Sequence, residues 1–199
     1  MSYIIAADEI KKTLPGYSPE QAEAFHSTSA KLADKAYAQA LKNRSEDLVI
    51  LLCGGTASGK SEYISVYLES RDAIILDGTL PSFEGASIKI RGALKASKAV
   101  EVHCVMPTSF LIAFVTFLNR DRKFSVEHFY RTHSSSRKTL LEIAQQFTDI
   151  PIKIIISNGD PESGMTFIMQ EFTNRPQMVE FIKDQQYTEE EIRNHIYHD

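Results

Sequence analysis

The segment LLCGGTASGKSEY, Leu51–Tyr63, constrains this chain more than any other. It joins an unbroken aliphatic run, DLVILLC, to a stretch of helical composition through Gly54, Gly55, Thr56, Ala57, Ser58, Gly59, Lys60 and Ser61. An aliphatic run closed by glycines predicts a strand buried on both faces of a parallel sheet. Glycines let the backbone curl so that its N–H groups converge on an anion at the positive end of the following helix. The spacing G-x-x-x-x-G-K-[ST] is that of the P-loop, or Walker A, in the strand-to-helix context the motif requires. Lys60 then supplies a point charge to the β and γ phosphates of ATP, and the Ser61 hydroxyl a ligand for Mg²⁺.

The rest of the chain alternates accordingly. Ser18, Pro19 and Gln21 suit an N-cap, a first helical position and a capping box. Phe25, Leu32, Ala33, Ala36, Tyr37, Ala40 and Leu41 then recur at helical spacing, predicting a helix over 18–43. After the loop, KSEYISVYLES reads as a helix and DAIILDGTLP as a short strand. EGASIKIRGALKASKA reads as a helix and VEVHCVMP as a strand. A long helical region, TSFLIAFVTFL to LLEIAQQF, carries a polar and basic interruption before IPIKIIISN, another buried strand. GMTFIMQEFTN adds an edge strand, RPQMVEFIKDQ a helix, and YTEEEIRNHIYHD a last helix with Thr188 and Glu191 as a capping box. Strand and helix in alternation predict an α/β fold: a P-loop NTPase/kinase-like open, mainly parallel sheet with helices on both faces, an N-terminal helix and a C-terminal helical extension.

At 199 residues and 43% hydrophobic, the chain is expected to form a single domain spanning 1–199. Its parts are the helix 18–43, a nucleotide-binding core over 47–157 with a lid at about 119–138, and a strand and helices over 165–199. The net charge of −4 argues against a general nucleic-acid binder. The N-terminus carries acids at once and lacks a basic region before its apolar residues, and the strongest apolar run, Phe110–Leu118, is too short to span a bilayer. A cytoplasmic protein without membrane contact is expected. Cys53 and Cys104 end aliphatic runs, as small buried hydrophobes do.

Other residues narrow the class. No guanine-reading Asn-Lys-x-Asp follows the later strands, since IIISNGD does not match, so GTP specificity is not expected. Asp77 directly follows AIIL at a strand end. There it either caps a turn with Gly78 or faces the ligand crevice, where an acid can accept an acceptor's hydroxyl proton or hold Mg²⁺ through water. The segment 119–138 holds Arg120, Arg122, Lys123, Arg131, Arg137 and Lys138 against Asp121 and Glu127, six basic residues against two acidic in a chain that is acidic overall. Positive charge over a departing γ-phosphate is what phosphoryl transfer needs. His128 and His133 lie in the same segment without the ligand pattern of a metal site.

FHSTSAKLADKAYAQALKN, VILLCGGTASGKS, AIILDGTL, VEVHCVMP and FLNRDRKFSVEHFYRTH together resemble the zeta-toxin family of P-loop kinases over roughly residues 25–157. The resemblance implies an ATP- and Mg²⁺-dependent kinase of a small hydroxylated acceptor, with UDP-N-acetylglucosamine as the best understood acceptor and an antitoxin as partner. It matches the lid arginines to Arg120 or Arg122 and to Arg131 or Arg137. The family's strand and substrate-binding segment with the general-base Asp, between the P-loop helix and the GT strand, has no counterpart here, because one helix and one strand fill the space between Lys60 and Asp77. Asp77 is then a replacement base or a substrate contact. The alternative function is an ATP-binding switch that engages a partner, and a nucleic-acid kinase is the third reading.

Overall fold

In the computed structural model, which describes residues 1–160, 162 and 164–198, a six-stranded sheet runs in the order β1-β3-β2-β4-β5-β6. The strands are β1 (Tyr3–Ala6), β2 (Leu48–Cys53), β3 (Ile74–Asp77), β4 (Ala99–Pro107), β5 (Ile152–Asp160) and β6 (Gly164–Gln170). All neighbours pair parallel except β6, which runs antiparallel along β5. Central β2 is buried from Val49 to Cys53, as a parallel strand covered on both faces must be.

The helices are α1 (Ala7–Lys12), α2 (His26–Asn43), α3 (Lys60–Tyr63), α4 (Phe83–Lys95), α5 (Phe110–Asn119), α6 (Val126–Gln146), α7 (Arg175–Asp184) and α8 (Glu189–Tyr197). Side chains alternate along the strands, so each face has its own core. Val49, Leu51, Ile74, Leu76, Val102 and Cys104 pack with residues of α2, α4, α6 and α7. Ile50, Leu52, Ile75, Val105 and Ile155 pack on the other face with Tyr63 of α3 and with Ile64 and Leu68 of the π-helical turn that continues it. A third cluster joins α5, α6 and α8 through Phe114, Phe117, Phe129 and Ile192. Both cysteines are buried and free.

Three expectations change. The helix predicted from Ser18 begins at His26. Pro19–Gln21 form a single 3-10 turn, and Ser18 makes no capping bond. Tertiary bonds outcompete the local cap: the Glu23 carboxylate accepts from the N–H and Oγ of Ser125, both at 2.9 Å, and the Lys123 N–H donates to the Pro19 carbonyl. The helix's buried stripe is therefore Ser29, Ala33, Tyr37 and Ala40, and Leu32 faces out. The sheet also gains a strand that sequence patterning missed. Beyond β3 lies β1, with Ala6 paired to Asp77. Finally, Asp77, which the sequence picks out as the acid ending a buried strand, has company at the carboxyl ends of the strands: Asp160 closes β5 and Asp8 follows β1 by two residues.

Elsewhere the patterning and the structure agree. Thr188 and Glu191 form both bonds of the capping box that starts α8. No helix among the described residues is long and apolar enough to cross a membrane.

Candidate functional site

The loop Gly54–Ser61 lies between the carboxyl end of β2 and the start of α3. Gly54 has φ +130°, and a Cβ there would stand 2.3 Å from the Val105 carbonyl oxygen of β4. A Cβ on Gly55 would meet the His133 ring at 2.3 Å. The two glycines thus permit close approach of the neighbouring strand on one side and of α6 on the other.

Lys60 folds over this curl, its Nζ donating to the carbonyls of Gly54 at 2.9 Å and Gly55 at 2.7 Å. Burial lowers its pKa, against the opposing pull of Asp77. Helix α6 clasps the loop at Thr56. The Thr56 N–H donates to Thr132 Oγ1 at 3.2 Å, and His133 Nε2 lies 2.8 Å from the Thr56 carbonyl. Burial first, then the nearby Arg137 guanidinium, pushes the His133 pKa well down. The neutral ring donates from Nε2 and leaves Nδ1 to accept from Arg137, 3.4 Å away.

A cavity of about 100 Å³ beside the loop is lined by Asp8, Lys60, Ser61, Asp77, Arg120 and Arg122, among others. Lys60, Ser61, Asp77, Arg120 and Arg122 are therefore brought together at one cavity. Arg120 Nη1 donates to Thr56 Oγ1 at 3.3 Å, and Arg122 is ion-paired to Asp8. Burial pushes the Asp77 carboxyl up, with Lys60 opposing it. Burial also acts to raise Asp8, but Arg122 and Lys11 outweigh it and hold this carboxyl below its ordinary value.

Arg131 and Arg137 line none of the cavities around the loop. Arg131 is exposed near His128. Arg137 is buried, its guanidinium lying 4.8 Å from the Phe110 ring centroid and 5.8 Å from that of Tyr187, and its Nε makes no hydrogen bond. The segment 119–138 spans the end of α5, a connecting loop and the first half of α6, so its arginines point to different places.

The residue that sequence reasoning missed is Asp8. Its signal was present, since IIAAD repeats the aliphatic-run-then-Asp pattern of AIILD, but two isoleucines and two alanines are too short a run to stand out as a strand.

No protein-family model matches this chain, and no curated protein does. Solved structures do match. The crystal structure of AvrRxo1-ORF1:-ORF2 with ATP is 12% identical, with 88% of this chain and 80% of that chain covered at a TM-score of 0.51. AvrRxo1-ORF1:AvrRxo1-ORF2 with sulphate ions is 13% identical over 80% of this chain and 72% of that one, at a TM-score of 0.49. At such identity the likeness to the ATP complex is one of fold, and it agrees with the α/β architecture described above.

Proposed function

We propose that this chain is an ATP-dependent phosphotransferase, a single kinase-like domain that moves the γ-phosphate of ATP to a hydroxyl of a small acceptor. A nucleotide sugar such as UDP-N-acetylglucosamine is the acceptor that the zeta-toxin resemblance suggests. The observation that carries the reading is the convergence of Lys60, Ser61, Asp77, Arg120 and Arg122 on one cavity at the P-loop.

Each residue has a role in this reading. The N–H groups from Gly54 to Ser61 cradle the triphosphate, and Lys60 leaves its two carbonyls to bridge β and γ oxygens. Arg120 and Arg122 neutralise charge on the transferring group. Ser61 and Asp77 fit Mg²⁺, because a hydroxyl and a carboxylate at one cavity wall are the oxygen donors this hard cation takes. When bound, the ion supplies charge neutralisation between the β and γ phosphates. Asp77 also orients the acceptor. A fold shared with a structure that contains ATP is consistent with ATP as donor, and that structure's two proteins are consistent with a protein partner here, such as an antitoxin.

One observation favours a second reading, a nucleotide-operated switch. Thr132 and His133 of α6 hold Thr56 of the loop, so a nucleotide that engages the Thr56 N–H would displace the Thr132 hydroxyl and loosen the grip of α6 on the loop.

Calorimetric titration with Mg·ATP tests the first reading. Lys60→Ala is expected to weaken ATP binding at least tenfold and to abolish turnover, as loss of a charged hydrogen bond of about 1.5–3 kcal/mol implies. Unchanged affinity together with unchanged turnover would overturn it. Incubation with labelled ATP and a metabolite extract separates the two readings: label on a small molecule supports the kinase, and binding without transfer or hydrolysis supports the switch.

A further inference from the structure

Helices α2 and α4 enclose a second concavity. A groove of about 270 Å³ runs between them, with Tyr37, Ala38 and Leu41 on one wall and Gly85, Ile88 and Gly92 on the other. Among the described residues, none lines both this groove and the cavities at the glycine loop.

Spacing explains the groove. Asp34, Ala38 and Leu41 of α2, and Gly85, Ile88 and Gly92 of α4, recur at intervals of three and four, so each set forms one stripe along its helix. Gly85 and Gly92 add no side chain to their stripe and Ala38 only a methyl, which leaves space between the helices. The Tyr37 hydroxyl donates to the Lys89 carbonyl at 3.0 Å and pins one helix to the other. Ile88 stands at the edge, 66% exposed.

Charge decides what such a groove takes. The two helices hold six basic residues against two acidic ones, Asp34 and Glu84, in a chain whose net charge is −4. Asp34 is already paired to Lys89, 2.8 Å away. Lys31, Lys35 and Lys42 are exposed and lie three or four residues from Asp34 or Ala38, and exposed Lys95 lies three from Gly92, so the four rim the groove. Among the described residues, none of these four lysines has an ion-pair partner.

We propose that the α2–α4 groove docks an acidic amphipathic helix of a partner protein, whose apolar stripe fills the groove while its carboxylates face the lysine rim. The proposal stands apart from the phosphotransferase reading, because the groove is separate from the glycine loop.

Size and charge argue against other occupants. The volume falls below the roughly 300–1,000 Å³ usual for small-molecule sites, yet it suits a row of aliphatic side chains spaced three and four apart, the way grooves hold helices. A second copy of this chain meeting the same face on a two-fold axis would set lysine rim against lysine rim. A bilayer surface does not enter a groove between two helices, so the apolar floor would stay out of its reach. A nucleic-acid backbone would meet the lysines and gain nothing from Tyr37, Leu41 and Ile88.

The test is fluorescence anisotropy of the full chain with a stapled helical peptide of about 15 residues, or roughly four turns, carrying leucines at spacings of three and four and glutamates elsewhere. The peptide should bind, and more weakly as salt is added, whereas its counterpart with lysine in place of glutamate should not bind. Reversing two rim charges together, Lys35→Glu with Lys42→Glu, should weaken binding by about tenfold or more. Gly92→Leu tests shape in place of charge. A Cβ there meets Leu41 Cδ1 at an ordinary 3.5 Å, so the variant should fill the groove and weaken binding by a similar factor without lowering the urea midpoint. Both variants should bind ATP as the parent does. Backbone amide shifts on adding the acidic peptide should fall on α2 and α4. No binding of that peptide, equal binding of the lysine peptide, unchanged affinity in the variants or shifts confined to α5 would each overturn the proposal. So would binding to phosphatidylserine vesicles or duplex DNA in preference to the peptide, or self-association that Gly92→Leu abolishes. Lys60→Ala tests the phosphotransferase reading on its own.

Discussion

At the scale of single residues, the loop Gly54–Ser61 is shaped as much by its neighbours as by its glycines. Gly55 is needed because the His133 ring occupies the space a Cβ would take. That ring is fixed in turn by Phe129, 4.3 Å between centroids, and by its bond to the Thr56 carbonyl. Gly55→Ala should therefore destabilise the fold by about 1–3 kcal/mol, the usual cost of overpacking a filled site. In a His133→Ala background the added methyl meets open space, so the double variant should be more stable than the sum of the two single changes by roughly 1 kcal/mol or more. Urea midpoints of the four proteins measure this coupling, and strict additivity would show that the two groups do not compete for the same volume. The motif's residue types could be read from the sequence. The histidine that makes Gly55 obligatory could not, because 77 residues separate His133 from the Thr56 it holds.

At the scale of elements, a half-buried carboxylate and a buried histidine on β4 tie the sheet to its neighbours. His103 Nε2 lies 2.8 Å from Glu101 Oε2, and the Tyr63 hydroxyl lies 3.1 Å from His103 Nδ1. Burial lowers the His103 pKa, so the neutral ring donates to Glu101 and accepts from Tyr63. Lys153 of β5 donates to the same carboxylate at 2.8 Å. The hydrogen bond from His103 first, then Lys153, both acting against burial, lowers the Glu101 pKa to about 2. A carboxyl whose pKa is depressed in the folded state stabilises it at pH values above the unfolded pKa. That contribution is lost as pH falls through the folded value. The window runs from near pH 4.5 down to about 2. Glu101→Gln should be less stable than the parent at pH 7 and should lose less between pH 7 and pH 3, as followed by urea unfolding. An equal loss in both proteins would place the acid sensitivity elsewhere.

At the scale of the whole molecule, the N-terminal residues complete the sheet. Strand β1 covers one edge of β3 and buries Ile5, which is 3% exposed. Removing residues 1–7 should cost roughly 3–5 kcal/mol, from the lost burial of Ile5 and the strand's hydrogen bonds, and should leave β3 as an open edge. A lower urea midpoint and concentration-dependent elution on size exclusion are the expected results, whereas an unchanged midpoint would show that β3 does not depend on β1.

The sequence alone determined the glycine-rich turn between β2 and α3, the order of strands and helices from β2 onward, the edge strand β6 and the capping box of α8. These are signals of local spacing, and local spacing survives in a linear string. The tertiary structure alone decided that Tyr3–Ala6 is a strand, that Asp8 faces Lys60 and Ser61, and that Arg120 and Arg122 reach the cavity while Arg131 and Arg137 do not. A four-residue strand is stabilised by the edge it pairs with, and an arginine's destination by the helix turn that carries it. Both depend on contacts between residues far apart in the chain, here Ala6 with Asp77 and Asp8 with Arg122.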